Sequence, residues 1–207
     1  MGNEFITSKP YNLITSKTSP PSREGAGGEA SIMRSIILLG YMCSGKTTVG
    51  RPLAKALGCR FYDLDWYIEE RFRKRIPQMF AEDGEDVFRR REANMLREVA
   101  EFEDIVLSLG GGTPCHSGNM EYMNQVGTTI YLQASIETLQ EHIRLSRGVR
   151  PLLEGKSEEE LKAFIEEQLK EREPYYLQAQ HVLPIDVLND EEKVNRLVEK
   201  IKLTVES

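Results

Sequence analysis

The sequence predicts one three-layer α/β/α domain, a parallel sheet with helices packed on both faces. Three observations predict it. Short apolar runs rich in β-branched residues recur along the chain, as expected of strands buried on both faces. Amphipathic helical patterns separate those runs, which implies right-handed crossovers and a parallel sheet. The chain has 207 residues, 40% hydrophobic and 29% charged. That size buries a full core without disulfide or metal staples, and at about 150 residues per domain it holds one domain with an appendage.

The appendage comes first. Residues 1–32 are rich in Ser, Thr, Pro, Gly and Lys, with Pro20-Pro21 and Gly25, Gly27 and Gly28 as breakers, and they read as a disordered tail. The tail has no apolar core of a secretory signal, and Glu4, Glu24 and Glu29 fit poorly with an organelle transit peptide. Met33 stands directly before the first strand, so a misassigned upstream start is one hypothesis for the tail. The domain is expected over residues 33–207.

Its first strand is Ser35-Ile36-Ile37-Leu38-Leu39, ended by Gly40, and a helix follows over 47–57. A second strand is expected at 61–63. Phe88, Met95, Leu96, Val99 and Phe102 then recur at helical spacing before a third strand at 105–109. A fourth strand is expected at 128–132. Ser157-Glu158-Glu159-Glu160 is a capping box that starts a helix at about residue 158. That helix should stop before Pro174, whose ring and missing N–H oppose continuation. The fifth strand is expected at 181–187, and Val194, Leu197, Val198, Ile201 and Val205 mark a last helix.

Composition excludes several classes. No stretch approaches the roughly 20 apolar residues that a membrane helix needs. A net charge of -6 argues against a duplex nucleic-acid binder, which needs clustered Lys and Arg, but leaves room for a local basic pocket. The cysteines, Cys43, Cys59 and Cys115, form no C-x-x-C pair, and His116, His142 and His181 offer no helical metal pair. They read as free thiols of a cytoplasmic protein.

Gly40-Tyr41-Met42-Cys43-Ser44-Gly45-Lys46-Thr47 satisfies G-x-x-x-x-G-K-[ST], and it lies after a buried strand and before a helix. Such a loop wraps backbone N–H groups around a polyphosphate, while the helix N-terminus supplies unpaired donors and a positive dipole end. Lys46 is placed to charge-pair the β/γ-phosphates, and the Thr47 hydroxyl is a hard oxygen ligand for Mg²⁺. Cys43, Ser44, Gly45 and Thr48 complete the stretch assigned to ATP.

Asp63-Leu64-Asp65 follows the second strand. Strand alternation would point both carboxylates to one side at the sheet's carboxyl edge, one toward a hydrated Mg²⁺ and the other toward a hydroxyl attacking the γ-phosphate. A helix N-cap at Asp65 is the competing explanation. Ser108-Leu109-Gly110-Gly111-Gly112-Thr113 closes the third strand, and its glycines let backbone approach a ligand closely. Arginines occur in Phe88-Arg89-Arg90-Arg91-Glu92, in Val149-Arg150-Pro151-Leu152-Leu153 and at Arg172 ahead of Glu173-Pro174-Tyr175-Tyr176. Their planar forks suit carboxylate and phosphate, although each alone is compatible with a solvated surface charge. The loop 146–155 reads as a mobile lid carrying Arg150.

In this order, the P-loop, D-x-D, F-R, S-x-G-G-G, R-P-L-L and R-x-P-x-Y motifs strongly resemble the shikimate kinase family across residues 33–207. The resemblance implies the P-loop kinase fold of nucleoside-monophosphate-kinase type, with a five-stranded parallel sheet in the order 2-3-1-4-5 and a mobile lid. It implies that ATP phosphorylates the shikimate 3-hydroxyl, a step toward chorismate and the aromatic amino acids. It also implies roles. Asp65 would meet the attacking hydroxyl, Arg89 and Arg172 would clamp the carboxylate, and Gly110, Gly111 and Gly112 would line the ring. Lys46 and Arg150 would act in catalysis, Arg150 touching ATP and substrate from the lid, while Thr47 and Asp63 would serve the Mg²⁺ shell, with Ser108 contributing through water. A monomer is the family's default.

Two positions depart from the family. Glycine is usual where Cys43 stands; if φ is positive there, the side chain costs on the order of 1 kcal/mol. Cys43 beside phosphate-binding amides would also be open to a lowered pKa and to oxidation. The adenine-side arginine has no unique match, with Arg144 and Arg147 both available and the segment 187–190 nearby. Two other functions stay open: a kinase of the same fold acting on gluconate or a nucleotide, and a nucleotide-dependent binding protein. An N-K-x-D guanine signature is absent.

Overall fold

The computed structural model of the chain describes residues 35–146 and 155–206. The expected tail, Arg147 and Arg150 lie outside the described residues. Strand β1, Ile36–Leu39, and strand β3, Ile105–Ser108, are buried at every position. A strand whose side chains are buried whichever way they point is covered on both faces, as their unbroken apolar runs require. β2, Arg60–Asp63, and β5, His181–Ile185, are the sheet's edges and are only partly buried. An edge position is what tolerates Pro184 inside β5, because proline cannot donate to a second neighbouring strand. With β4, Thr128–Ala134, the order is β2-β3-β1-β4-β5 and every pairing is parallel. This is the order that the resemblance implied.

From β1 the chain runs out to β2 and back to β3 on one side, then crosses to β4 on the other side of β1. Order reverses there, and parallel sheets bind ligands outside the carboxyl ends of strands at such a reversal. Helix α1, Lys46–Leu57, buries Val49, Gly50, Leu53 and Ala54 and ends at Gly58, whose left-handed conformation returns its N–H to Ala54 and Lys55 carbonyls. At Gly50, α1 packs directly on the Phe61 side chain of β2. A Cβ there would stand 2.5 Å from the Phe61 ring.

Helices α2, Leu64–Phe72, α3, Ile76–Asp83, and α4, Glu85–Ala100, fill the connection from β2 to β3. A 3-10 turn at Thr113–Cys115 and helix α5, Asn119–Val126, join β3 to β4. After β4 come α6, Ile136–Leu145, and α7, Glu158–Tyr176, and after β5 comes α8, Glu191–Val205, which packs on α1. The Ser157 capping box forms as the sequence predicts, with both reciprocal bonds present. Sequence periodicity did not resolve α2, α3, α5 or α6. They span 8 to 10 residues each, too short for a repeat of two or three turns to stand out.

One boundary is corrected. α7 does not stop before Pro174 but runs through it to Tyr176. An interior proline costs about 3 kcal/mol or more, so the last turn must be held from outside. Tyr131 and Gln133 on β4 donate to the Glu173 carboxylate at 3.2 and 3.0 Å. Tyr176 is wholly buried against Tyr131, with ring centroids 5.1 Å apart, and donates to the Gly111 carbonyl at 2.6 Å. Burial of a large side chain contributes about 1.5–3 kcal/mol, and with these bonds it offsets the proline.

Candidate active site

At the carboxyl end of β1 the loop 40–47 turns back over the sheet. Gly40 (φ 141), Cys43 (φ 62) and Gly45 (φ 84) all have positive φ. At Gly40 a Cβ would lie 2.9 Å from both the Leu132 carbonyl and the Ser44 hydroxyl, so glycine is required on two counts. Cys43 holds the left-handed conformation without that freedom, at a cost of about 1–2 kcal/mol. Gly45 caps α1 with no side chain on the first-turn N–H groups, which leaves the helix N-terminus open to an anion. Lys46 is buried and folds back along the loop, its ammonium donating to the Gly40 and Tyr41 carbonyls at 2.9 and 2.8 Å.

Beside this loop, the Thr47 hydroxyl donates to Asp63 Oδ2 at 2.9 Å. β2 ends at Asp63 and α2 starts at Leu64, so strand alternation does not relate residues 63 and 65, contrary to the sequence expectation. Asp65 instead sits in the first turn of α2, and the helical turn brings it near Asp63. The N-cap is Asp63, not Asp65, accepting from the Trp66 N–H. A hydroxyl and a carboxylate at adjoining strand and helix ends are hard oxygen donors of the kind Mg²⁺ takes singly or in pairs, completing its shell with water and phosphate. Thr47 and Asp63 therefore fit that ion.

Burial raises the Asp65 carboxyl to about 7, with Asp63 and Glu92 adding to the effect and Lys46 opposing it. Its Oδ1 lies 2.6 Å from the place a Cβ on Gly110 would occupy. The next two glycines meet arginines in the same way. A Cβ on Gly111 would stand 3.6 Å from Arg172 Nη1, and one on Gly112 would stand 2.8 Å from both terminal nitrogens of Arg89. None of these three has positive φ, so Gly110 and Gly112 are needed for close approach and not for turn geometry, while a Cβ on Gly111 would meet its neighbours at ordinary contact distance. The structure thus gathers Asp65 from α2, Arg89 from α4 and Arg172 from α7 around one short stretch of backbone after β3.

Several residues that sequence reasoning passed over hold this arrangement. Glu92 is 1% exposed; it pairs with Arg89 Nη1 at 2.9 Å and accepts from the Thr113 hydroxyl at 2.7 Å. Its placement three residues after Arg89 on a helix was a legible signal. Glu85 also accepts from Arg89, at 3.1 and 3.0 Å. Tyr176 fixes the Gly111 carbonyl, and the Arg172 guanidinium lies 5.9 Å from the Tyr41 ring centroid. Only the fold reveals these last contacts. Ser108 is buried at the end of β3, paired in register with Asp63. Of the adenine-side choices, Arg144 is exposed and pairs with Glu141 and Glu158.

The family model described as Shikimate kinase matches residues 42–202. The shikimate kinase of Parabacteroides distasonis is 54% identical over 147 residues, 71% of this chain and 85% of that protein. The crystal structure of shikimate kinase from Bacteroides thetaiotaomicron superposes with a TM-score of 0.80 at 44% identity, over 84% of this chain and 99% of that one. Shikimate kinase from Acinetobacter baumannii in complex with shikimate superposes with a TM-score of 0.70 at 32% identity, over 84% of this chain and 93% of that one. With the motifs and the strand order, these matches place the sequence: the chain belongs to the shikimate kinase family.

Proposed function

We propose that the chain transfers the γ-phosphoryl group of ATP to the 3-hydroxyl of shikimate, releasing ADP and 3-phosphoshikimate. The observation that carries this reading is the seating of Asp65, Arg172 and Arg89 on three consecutive glycines beside a P-loop. A small polyhydroxy carboxylate asks for that combination. Two guanidinium forks suit its carboxylate, and a carboxylate base suits its reacting hydroxyl.

In the mechanism that follows, the loop amides of 40–47 and the open α1 N-terminus bind the phosphates. Lys46 exchanges its loop carbonyls for phosphate oxygens and follows the charge that grows on them. Arg89 and Arg172 hold the acceptor so that its hydroxyl meets Asp65, whose pKa of about 7 suits a proton acceptor at neutral pH. Positioning supplies most of the rate enhancement in a transfer of this type. Mg²⁺, held by Thr47 and Asp63, would neutralise phosphate charge. Arg150, by the family resemblance, would contact ATP and substrate.

On this reading residues 33–207 carry the activity as a cytoplasmic monomer, with no nucleic-acid or membrane partner; among the described residues no helix is long and apolar enough to cross a membrane. The test is ADP release with Mg-ATP, comparing shikimate, gluconate, nucleoside monophosphates and no acceptor. Shikimate-dependent turnover with 3-phosphoshikimate identified by mass is expected. Turnover only with another acceptor would overturn the arginine roles.

A further inference from the structure

Cys43 holds a left-handed backbone (φ 62) that few residues other than glycine adopt, so contacts around it must stabilise that turn. One such contact comes from α6. His142 is 9% exposed, and its Nδ1 lies 2.8 Å from the Cys43 carbonyl oxygen. On the ring's other side, Nε2 accepts from the Leu188 N–H at 2.7 Å. Those two bonds specify the tautomer. A ring nitrogen that accepts carries no proton, so the proton is on Nδ1 and donates to Cys43. Leu188 in turn covers the loop: its Cδ1 is 2.5 Å from the place a Cβ on Gly45 would occupy. The segment between β5 and α8 is thereby seated on the cap of α1, with an imidazole joined to both.

We propose that His142 is a positioning residue of the nucleotide site: its neutral Nδ1–H form ties the phosphate-binding loop at Cys43 to the segment at Leu188, and protonation releases that segment. This rests on the reading of the 40–47 loop as the nucleotide's phosphate site. In the protonated ring both nitrogens donate. The bond to Cys43 persists, but Nε2–H then faces the Leu188 N–H, donor against donor. The latch opens on one side only.

Charges on the packed elements leave the neutral form favoured. Burial lowers the pKa of His142, opposed by the Cys43 carbonyl and by Glu141 on its own helix. Lys46 and the Cys43 thiol belong to the loop, and Lys46 is bonded to carbonyls there. On the segment, Asp186 is exposed and Asp190 caps α8 and pairs with Lys193. From α7, Glu158 is paired to Arg144.

The experiment follows the full-length protein from about pH 8 to about pH 5 by NMR, reading the His142 ring nitrogens and the Leu188 amide. The expected result is an Nδ1–H tautomer at neutral pH, and a Leu188 amide shift with the same midpoint as the ring. In parallel, calorimetry measures the Kd of MgADP for wild type and His142→Gln. Their ratio cancels the ligand's own titration. It should be about fivefold at neutral pH, the effect of one hydrogen bond, and should fall toward unity in acid as the wild type loses the latch. An Nε2–H tautomer, a Leu188 amide indifferent to the ring's titration, or a pH-independent ratio would each overturn the proposal. If the variant does not fold, the wild-type spectra decide alone. MgADP binding with no shikimate-dependent turnover would remove the acceptor assignment and leave the latch standing, whereas no MgADP binding at any pH would remove both.

Discussion

On the proposed phosphate side, the groups assigned to the ligand are backbone amides, the Lys46 ammonium and the end of one helix, all within the loop 40–47 and the start of α1. On the proposed acceptor side they are side chains from α2, α4 and α7, brought onto Gly110, Gly111 and Gly112 from up to 61 residues away in sequence, as for Arg172 on Gly111. The first half is local, and its geometry follows from a short run of residues. The second is tertiary, and each member depends on packing elsewhere: Arg89 on Glu92 and Glu85, the α7 end on Tyr176 and Glu173. Phosphate is common to many kinases and can be recognised by backbone. The acceptor is what distinguishes one kinase from another, and it is read by side chains.

The largest effect should come from Asp65→Asn on the acceptor side. kcat should fall by about 10³-fold with MgATP binding nearly unchanged, as steady-state kinetics and calorimetry would report. Retained turnover would exclude an essential base. In the wild type, kcat/KM for shikimate should fall as pH drops through about 7, because the protonated carboxyl no longer accepts a proton. The same raised pKa has a stability consequence. The folded state binds this proton more tightly than the unfolded one, so ionising Asp65 between about pH 4 and about pH 7 lowers stability. Asp65→Asn should therefore raise Tm at pH 8, with the gap closing toward pH 4.

Lys46→Ala on the phosphate side should lower kcat by about 10²-fold or more, and shikimate affinity should be little changed in direct binding. A comparable loss of shikimate affinity would show the two halves to be coupled more tightly than their construction suggests. Next in size, Gly110→Ala forces a methyl group against the Asp65 carboxylate; about 10²-fold loss of kcat/KM with unaltered MgATP binding is expected. Arg89→Lys keeps the charge but removes the fork, raising shikimate KM by about tenfold while leaving the KM for ATP alone. Equal damage to both constants would contradict the carboxylate role. The smallest effect is Cys43→Gly. Relief of a left-handed side chain is partly offset by glycine's greater unfolded-state entropy, so a gain of about 0.5 kcal/mol and a slight rise in Tm are expected.

The same division governs what was legible before the fold was known. The β1 run, the P-loop and the Ser157 capping box each depend on contacts within a few residues, and each appears where the pattern put it. Asp65, Arg89 and Arg172 were legible as residue types in a family order, but the reason first offered for Asp65, strand alternation, is not what brings it to the site. A helical turn does that. His142 carried no signal at all, because its partners, Cys43 and Leu188, lie 99 and 46 residues away.

Periodicity, cap residues and glycine spacing were enough for the class of fold and the phosphate loop, and the order of the motifs carried the resemblance to the family, since all are written in short-range or ordered patterns. Tertiary structure alone decided that α7 continues through Pro174, that Cys43 is left-handed, and that three glycines each receive one functional side chain. Those outcomes turn on where burial and hydrogen bonds between distant segments outweigh a local preference of one to three kcal/mol, a balance no single stretch of sequence contains.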